Sequence, residues 1–105
     1  MCSYRHKLAA GTALEMSLII PSFAEHYDFD DLLRCVAPRR IFVVSSDDDP
    51  QAADAEELVK NALPAFELQG CPEHLQHLRV PGRHALGQPR FEAMVDWTVT
   101  QATSR

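Results

Sequence analysis

The chain lacks the compositional features that identify disulfide-rich, zinc-ribbon, membrane or nucleic-acid-binding proteins. Its three cysteines are odd in number and include no C-x-x-C pair, so neither a disulfide framework nor a zinc ribbon is indicated. No apolar run approaches the roughly 20 residues of a membrane span. The ten lysines and arginines are scattered, and a net charge of −5 argues against a nucleic-acid partner. A single soluble domain in a reduced, cytoplasmic setting is predicted.

The N-terminal segment, residues 1–24, has no clear period and is predicted to be poorly defined. Its apolar stretch LAAGTALEMSLII loosely resembles a signal peptide, and Ser22 to Ala24 could pass as a cleavage site. Glu15 interrupts that stretch, which favours a cytoplasmic protein over a secreted one. Residues 25–105 carry regular patterns and are predicted to form the folded region.

Two strands are predicted in the folded region, at 40–46 and 75–80. The first, RIFVVSS, is a continuous apolar run, which indicates burial on both faces as in a parallel sheet. The second, LQHLRV, is more polar and is expected nearer an edge. A helix predicted between them at 54–66 forms a crossover, so the two strands should be parallel.

Helices are predicted before, between and after these strands. Asp28 and Asp31 place carboxylates at the start of the first, at about 29–36. Asp54 and Glu57 have the spacing of a capping box at the start of the second.

The third helix is C-terminal and amphipathic. Its apolar stripe consists of Phe91, Met94, Val95 and Thr98, and Trp97 flanks it. Phe91 and Trp97 are expected to lie in the core. The fold class is therefore α/β, with two parallel strands and two or three flanking helices.

Ionisable residues follow both strands, in the loops SSDDDP and PGRH. The carboxyl ends of parallel strands lie at one edge of a sheet, where ligands and catalytic groups collect. An aspartate from the first loop could therefore hydrogen-bond to His84 and fix its tautomer. Asp49 has a second interpretation, because an aspartate before proline is also a helix N-cap with proline at N1.

These residues resemble the C-terminal part of an α/β-hydrolase. The segment VAPRRIFVVSSDDDP, a helix, then LRVPGRHAL and a closing helix are similar to the dienelactone hydrolase and acetyl-xylan-esterase-like group over residues 25–101. The resemblance implies that Asp49 is the catalytic acid, with Asp48 as second choice, and that His84 is the catalytic histidine. Arg83 stands where the family commonly has a second glycine.

The nucleophile of that family is missing from the sequence. It belongs to a G-x-S-x-G elbow, and none of the six serines here has glycines two residues away on both sides. The family order of serine, acid and histidine would place the nucleophile before Asp49. The chain therefore resembles the acid-and-histidine half of an enzyme that acts on a small acyl ester, and is expected to be inactive alone.

No metal or cofactor site is predicted. Cys71, His74 and His77 lie near one another in sequence, but the two histidines would point to opposite faces of a strand. Cys35 and Cys71 are predicted to be small buried hydrophobes.

The alternative function is a non-catalytic interaction module. The strand RIFVVSS expects a neighbour on each side, so one of its edges should be open and apolar. Such an edge predicts self-association or docking onto a complementary chain.

Overall fold

The computed structural model describes residues 2–11 and 19–104 of the chain. Much of the stretch that loosely resembles a signal peptide lies outside these ranges. The described residues form an α/β unit with two parallel strands, β1 (Ile41–Ser46) and β2 (Leu75–Val80). Both strands lie within a residue of their predicted bounds, and their predicted parallel pairing is confirmed.

Five α-helices lie around the strands in the described residues. They are α1 (Tyr4–Ala10), α2 (Phe23–His26), α3 (Phe29–Val36), α4 (Ala55–Leu68) and α5 (Gln88–Thr103). Short 3-10 turns follow the first strand, at Pro50–Ala52, and precede the second, at Pro72–His74. None of the described helices has the length and apolarity that a membrane-spanning helix requires.

The core lies on one face of the two strands, beneath α3 and α4. Its buried members come from both helices, β2 and the loop before it; they are Leu33, Leu58, Ala62, Phe66, Cys71 and Leu75. Ile41 packs against this cluster from β1, and it is the register partner of Leu75. Since strand side chains alternate between faces, the next residues along each strand face the other way. Phe42 there stacks on Trp97 of α5, with ring centroids 5.6 Å apart.

The two carboxylates at the start of α3 cap the helix, as predicted. Asp28 and Asp31 form a reciprocal capping box, in which each side chain accepts a backbone N–H at the other's position. Asp28 also accepts N–H groups from Tyr4 and Arg5, at 2.7 and 3.0 Å. One aspartate therefore begins α3 and holds α1 against it.

The capping box predicted at Asp54 is wrong. The Asp54 side chain makes no capping hydrogen bond to α4, because it accepts the backbone N–H and the hydroxyl of Ser3 instead. Ser3 in turn caps α1 by accepting the N–H of His6. Within residues 1–24, for which the sequence predicted no defined structure, α1 is thus tied to the start of α4.

Burial departs from the prediction at three side chains. Phe91 is exposed and Trp97 is half-buried, because α5 presents only one side to the strands. Cys71 is buried as predicted, whereas Cys35 is exposed near the end of α3.

Candidate active site

The loops after β1 and β2 lie side by side. Ser46 is paired with Val80, so both strands end at the same level of the sheet. Two backbone hydrogen bonds continue the pairing beyond the strands. The N–H of Asp47 donates to the carbonyl of Val80 and the N–H of Asp48 donates to the carbonyl of Gly82, both at 2.9 Å. The first loop therefore delivers its aspartates directly beside the turn that carries His84.

Asp49 is the aspartate that reaches this turn. Its Oδ2 accepts a hydrogen bond from Nδ1 of His84 at 2.9 Å, and its Oδ1 accepts the N–H of Gln51 at 2.8 Å. It is also the N-cap of the turn that begins at Pro50. Asp49 thus satisfies both interpretations of its sequence at once, as a cap with one oxygen and as the partner of a histidine with the other.

Burial distinguishes the two members of this pair. The Asp49 side chain is 1% exposed, whereas that of His84 is 68% exposed. An ionised carboxylate only accepts hydrogen bonds, so the Nδ1 of a neutral His84 carries the proton of this contact. The other ring nitrogen, Nε2, is then the basic one. The arrangement anchors the imidazole at one side and leaves the ring accessible.

The carboxyl group of Asp49 is ionised, because its surroundings lower its pKa. Burial raises this pKa, but the hydrogen bonds from His84 and from the N–H of Gln51 outweigh burial and hold it below its ordinary value. A buried carboxylate that stays charged stabilises an imidazolium beside it. Asp49 can therefore support a proton on the ring without accepting that proton itself.

The neighbouring aspartates have different surroundings. Asp47 is exposed and accepts from the guanidinium of Arg79 at 2.9 Å. Asp48 is exposed, and the hydrogen bond to His84 is made by the next residue, Asp49. Of the two candidates for the acid, the structure brings Asp49 and not Asp48 to the histidine.

A hydroxyl–imidazole contact between the two strands was not anticipated from the sequence. Ser45 of β1 and His77 of β2 are 2.7 Å apart, between Oγ and Nε2, on the face of the strands that α4 covers. Burial lowers the pKa of His77. Ser45 is fully buried, so its hydroxyl is not presented to a substrate. Only the strand register, which the sequence did not specify, would have predicted this pair.

No hydroxyl nucleophile accompanies His84 in the described part of the chain. The serines of β1 are buried, and no described serine is hydrogen-bonded to the His84 ring. Near β2, Cys71 and His74 both contact the carbonyl of Pro38, whereas His77 bonds to Ser45.

No model of a known protein family matches this chain, and no curated protein matches it.

Proposed function

We propose that this chain carries the acid and the histidine of a serine-hydrolase-type triad in an α/β-hydrolase-like fold. The observation that supports it is the 2.9 Å hydrogen bond between buried Asp49 and exposed His84 at the carboxyl edge of two parallel strands. This is the location at which such sheets collect catalytic groups. The hydrolase-like sequence around both residues is consistent with that role.

In this proposal His84 transfers the proton of the reaction. Its Nε2 accepts a proton from a hydroxyl nucleophile as that oxygen attacks the acyl carbon of an ester. The resulting imidazolium then gives the proton to the departing alcohol, and water repeats the cycle to release the acid. Asp49 stays ionised throughout, holds the ring by Nδ1 and stabilises its positive charge.

The nucleophile and the oxyanion hole come from a complementary part that these residues do not supply. The sequence has no G-x-S-x-G elbow, and its β1 serines are buried. The chain by itself is therefore proposed to have no appreciable turnover of small acyl esters. No cofactor or metal takes part in this scheme.

The tautomer of His84 is the first test of the proposed pair. In long-range proton–nitrogen NMR spectra of the neutral imidazole, we expect Nδ1 to be protonated and Nε2 to be bare. Asp49→Asn should populate the opposite tautomer, because an amide can turn its NH₂ toward Nδ1. Asp48→Asn is the matched control and should leave the spectrum unchanged. A wild-type ring protonated mainly at Nε2 would refute the role assigned to Asp49.

The second candidate function is a non-catalytic interaction module. We define the α5 face as a set of exposed apolar side chains on α5 and just before it. They are Leu86, which precedes the helix, and Phe91, Met94, Val95 and Val99 of the helix itself. Together with Thr98 they line an open cavity of about 330 Å³. Helix α5 has no buried residue at all. A contiguous exposed apolar surface of this kind is typical of an interaction site.

The unpaired edge of β1 also supports an interaction function. In the described residues β1 has β2 as its strand neighbour on one side, and no strand on the other. An unpaired edge is a template for another strand. In the isolated protein the available occupant of both surfaces is a second copy of the chain.

Self-association gives a direct test of this second function. We expect the wild-type chain to form dimers or larger species at micromolar concentration in sedimentation velocity. Met94→Glu should shift it to monomer, because the carboxylate would have to be desolvated in the interface. Thr100→Glu adds the same charge to an exposed position of the same helix and should associate like wild type. A wild-type monomer at these concentrations would argue against the module.

A further inference from the structure

Three potential metal ligands converge between α1 and the start of α4. They are the thiol of Cys2, the imidazole of His6 and the carboxylate of Asp54, and one ligand atom from each lies within 4.8 Å of the others. Cys2 is buried, and the other two are half-buried. Since Asp54 is 48 residues from His6 in sequence, the fold creates this group.

Hydrogen bonds hold the three residues in place. Ser3, between Cys2 and α1, donates its backbone N–H and its hydroxyl to Asp54. The same hydroxyl accepts the N–H of His6 at 3.0 Å. At the next residue of α1, Nζ of Lys7 donates to the side chain of Gln51 at 2.9 Å, which attaches the helix to the segment before Asp54. The ligands therefore sit on segments that other contacts fix relative to one another.

The donor set is that of a zinc-type ion. Thiolate sulfur, imidazole nitrogen and carboxylate oxygen bind Zn²⁺ at about 2.0 to 2.3 Å, which in a tetrahedron puts the ligand atoms roughly 3.4 to 3.6 Å apart. From separations within 4.8 Å, side-chain movements of about an ångström would close the site. Hard ions such as Mg²⁺ and Ca²⁺ prefer oxygen ligands and fit this set less well.

We propose that Cys2, His6 and Asp54 form a binding site for Zn²⁺ or a similar divalent transition-metal ion, with one coordination position left for water or a small ligand. Three protein ligands with an open fourth position are typical of catalytic rather than purely structural zinc sites. Asp54 also lines an open cavity of about 390 Å³ among charged side chains, so one ligand of the group borders open space.

The protonated state of the Cys2 thiol disfavours metal binding. Burial and the hydrogen bond to Asp54 raise the pKa of Cys2 to about 11, so an incoming ion must displace the thiol proton. A bound cation does this by lowering the pKa of a coordinating thiol. Burial raises the pKa of Asp54, but the hydrogen bonds from Ser3 outweigh burial and hold it below its ordinary value. Loss of the thiol proton also frees the carboxylate lone pair to which that proton is hydrogen-bonded.

Cobalt titration of the reduced protein tests the site, because Co²⁺ reports thiolate and tetrahedral ligation by its absorption. We expect a 1:1 thiolate-to-cobalt charge-transfer band that one equivalent of Zn²⁺ removes. Cys2→Ser should abolish the band, and His6→Ala should weaken binding by more than about 100-fold, the upper range for losing only an outer-shell partner. The controls are Cys35→Ser and His26→Ala, which remove an exposed thiol and an exposed imidazole elsewhere.

Zn²⁺ should also raise the melting temperature of wild type and of both controls, but not that of Cys2→Ser. This melting-temperature shift does not depend on the cobalt absorption band. Circular dichroism of each variant separates loss of the site from loss of the fold. No thiolate band in wild type, or a band that survives in Cys2→Ser, would overturn the proposal. A band lost equally in Cys35→Ser would overturn it too, since the ligation would then require a thiol outside the proposed site.

Discussion

Replacing His84 with alanine is expected to lower the rate of fluorophosphonate labelling by about 10³-fold or more in an assembly that supplies the nucleophile. The probe reacts with a serine only when a base removes its proton, and in our proposal that base is Nε2 of His84. Asp49 does not replace it, because a carboxylate is a far weaker base than an imidazole and this one remains bound to the N–H of Gln51. The measurement is the labelling rate of the assembly that co-purifies with the tagged chain, for wild type and variant.

His74→Ala is the matched control for this experiment. His74 is a histidine of the same strand region, but its Nδ1 bonds to the carbonyl of Pro38, away from the Asp49 pair. We expect the control to label at the wild-type rate. Association should be unchanged in both variants, since neither histidine belongs to the α5 face. Equal labelling rates for His84→Ala and wild type would contradict the assignment of His84.

Replacing Phe66 with alanine is expected to lower the free energy of unfolding by about 3 to 5 kcal/mol. Phe66 is fully buried, and its ring lies in the cluster that joins α3, α4 and β2. The variant loses the transfer free energy of the ring and also creates a cavity among Leu33, Leu58 and Leu75. Small domains have a total stability of about 5 to 15 kcal/mol, so the loss is a large share of it.

Urea denaturation followed by circular dichroism measures this effect. Leu68→Ala is the matched control, because Leu68 lies on the same helix, two residues away, and is 87% exposed. Its free energy of unfolding should stay within about 0.5 kcal/mol of wild type. If the two variants were destabilised equally, the core would not lie between α4 and the strands.

The elements that the sequence predicted well have strong local patterns. The apolar run of β1, the three-to-four spacing in α4 and the paired carboxylates before α3 each give an element within about two residues of its observed bounds. The Asp49–His84 contact was also predictable, because parallel strands bring the loops that follow them to the same edge. The catalytic use of that contact is not decided by geometry and stays a prediction.

The features that the sequence did not predict depend on contacts between distant segments. Asp54 has the local spacing of an N-cap, but Ser3 takes its carboxylate, and only the packed fold shows this competition. The convergence of Cys2, His6 and Asp54 has the same origin. Phe91 belongs to a regular amphipathic stripe, yet it is exposed, because the stripe has no surface of the described chain to cover.

The location of the nucleophile is the most direct test of the proposed function. The chain would be isolated from its native source under non-denaturing conditions, treated with a fluorophosphonate, and examined by intact mass and peptide mapping. The proposal predicts a labelled serine outside these 105 residues, in a species or complex that also contains Asp49 and His84. A label on one of the chain's own serines, or no label in any species that contains these residues, would contradict it.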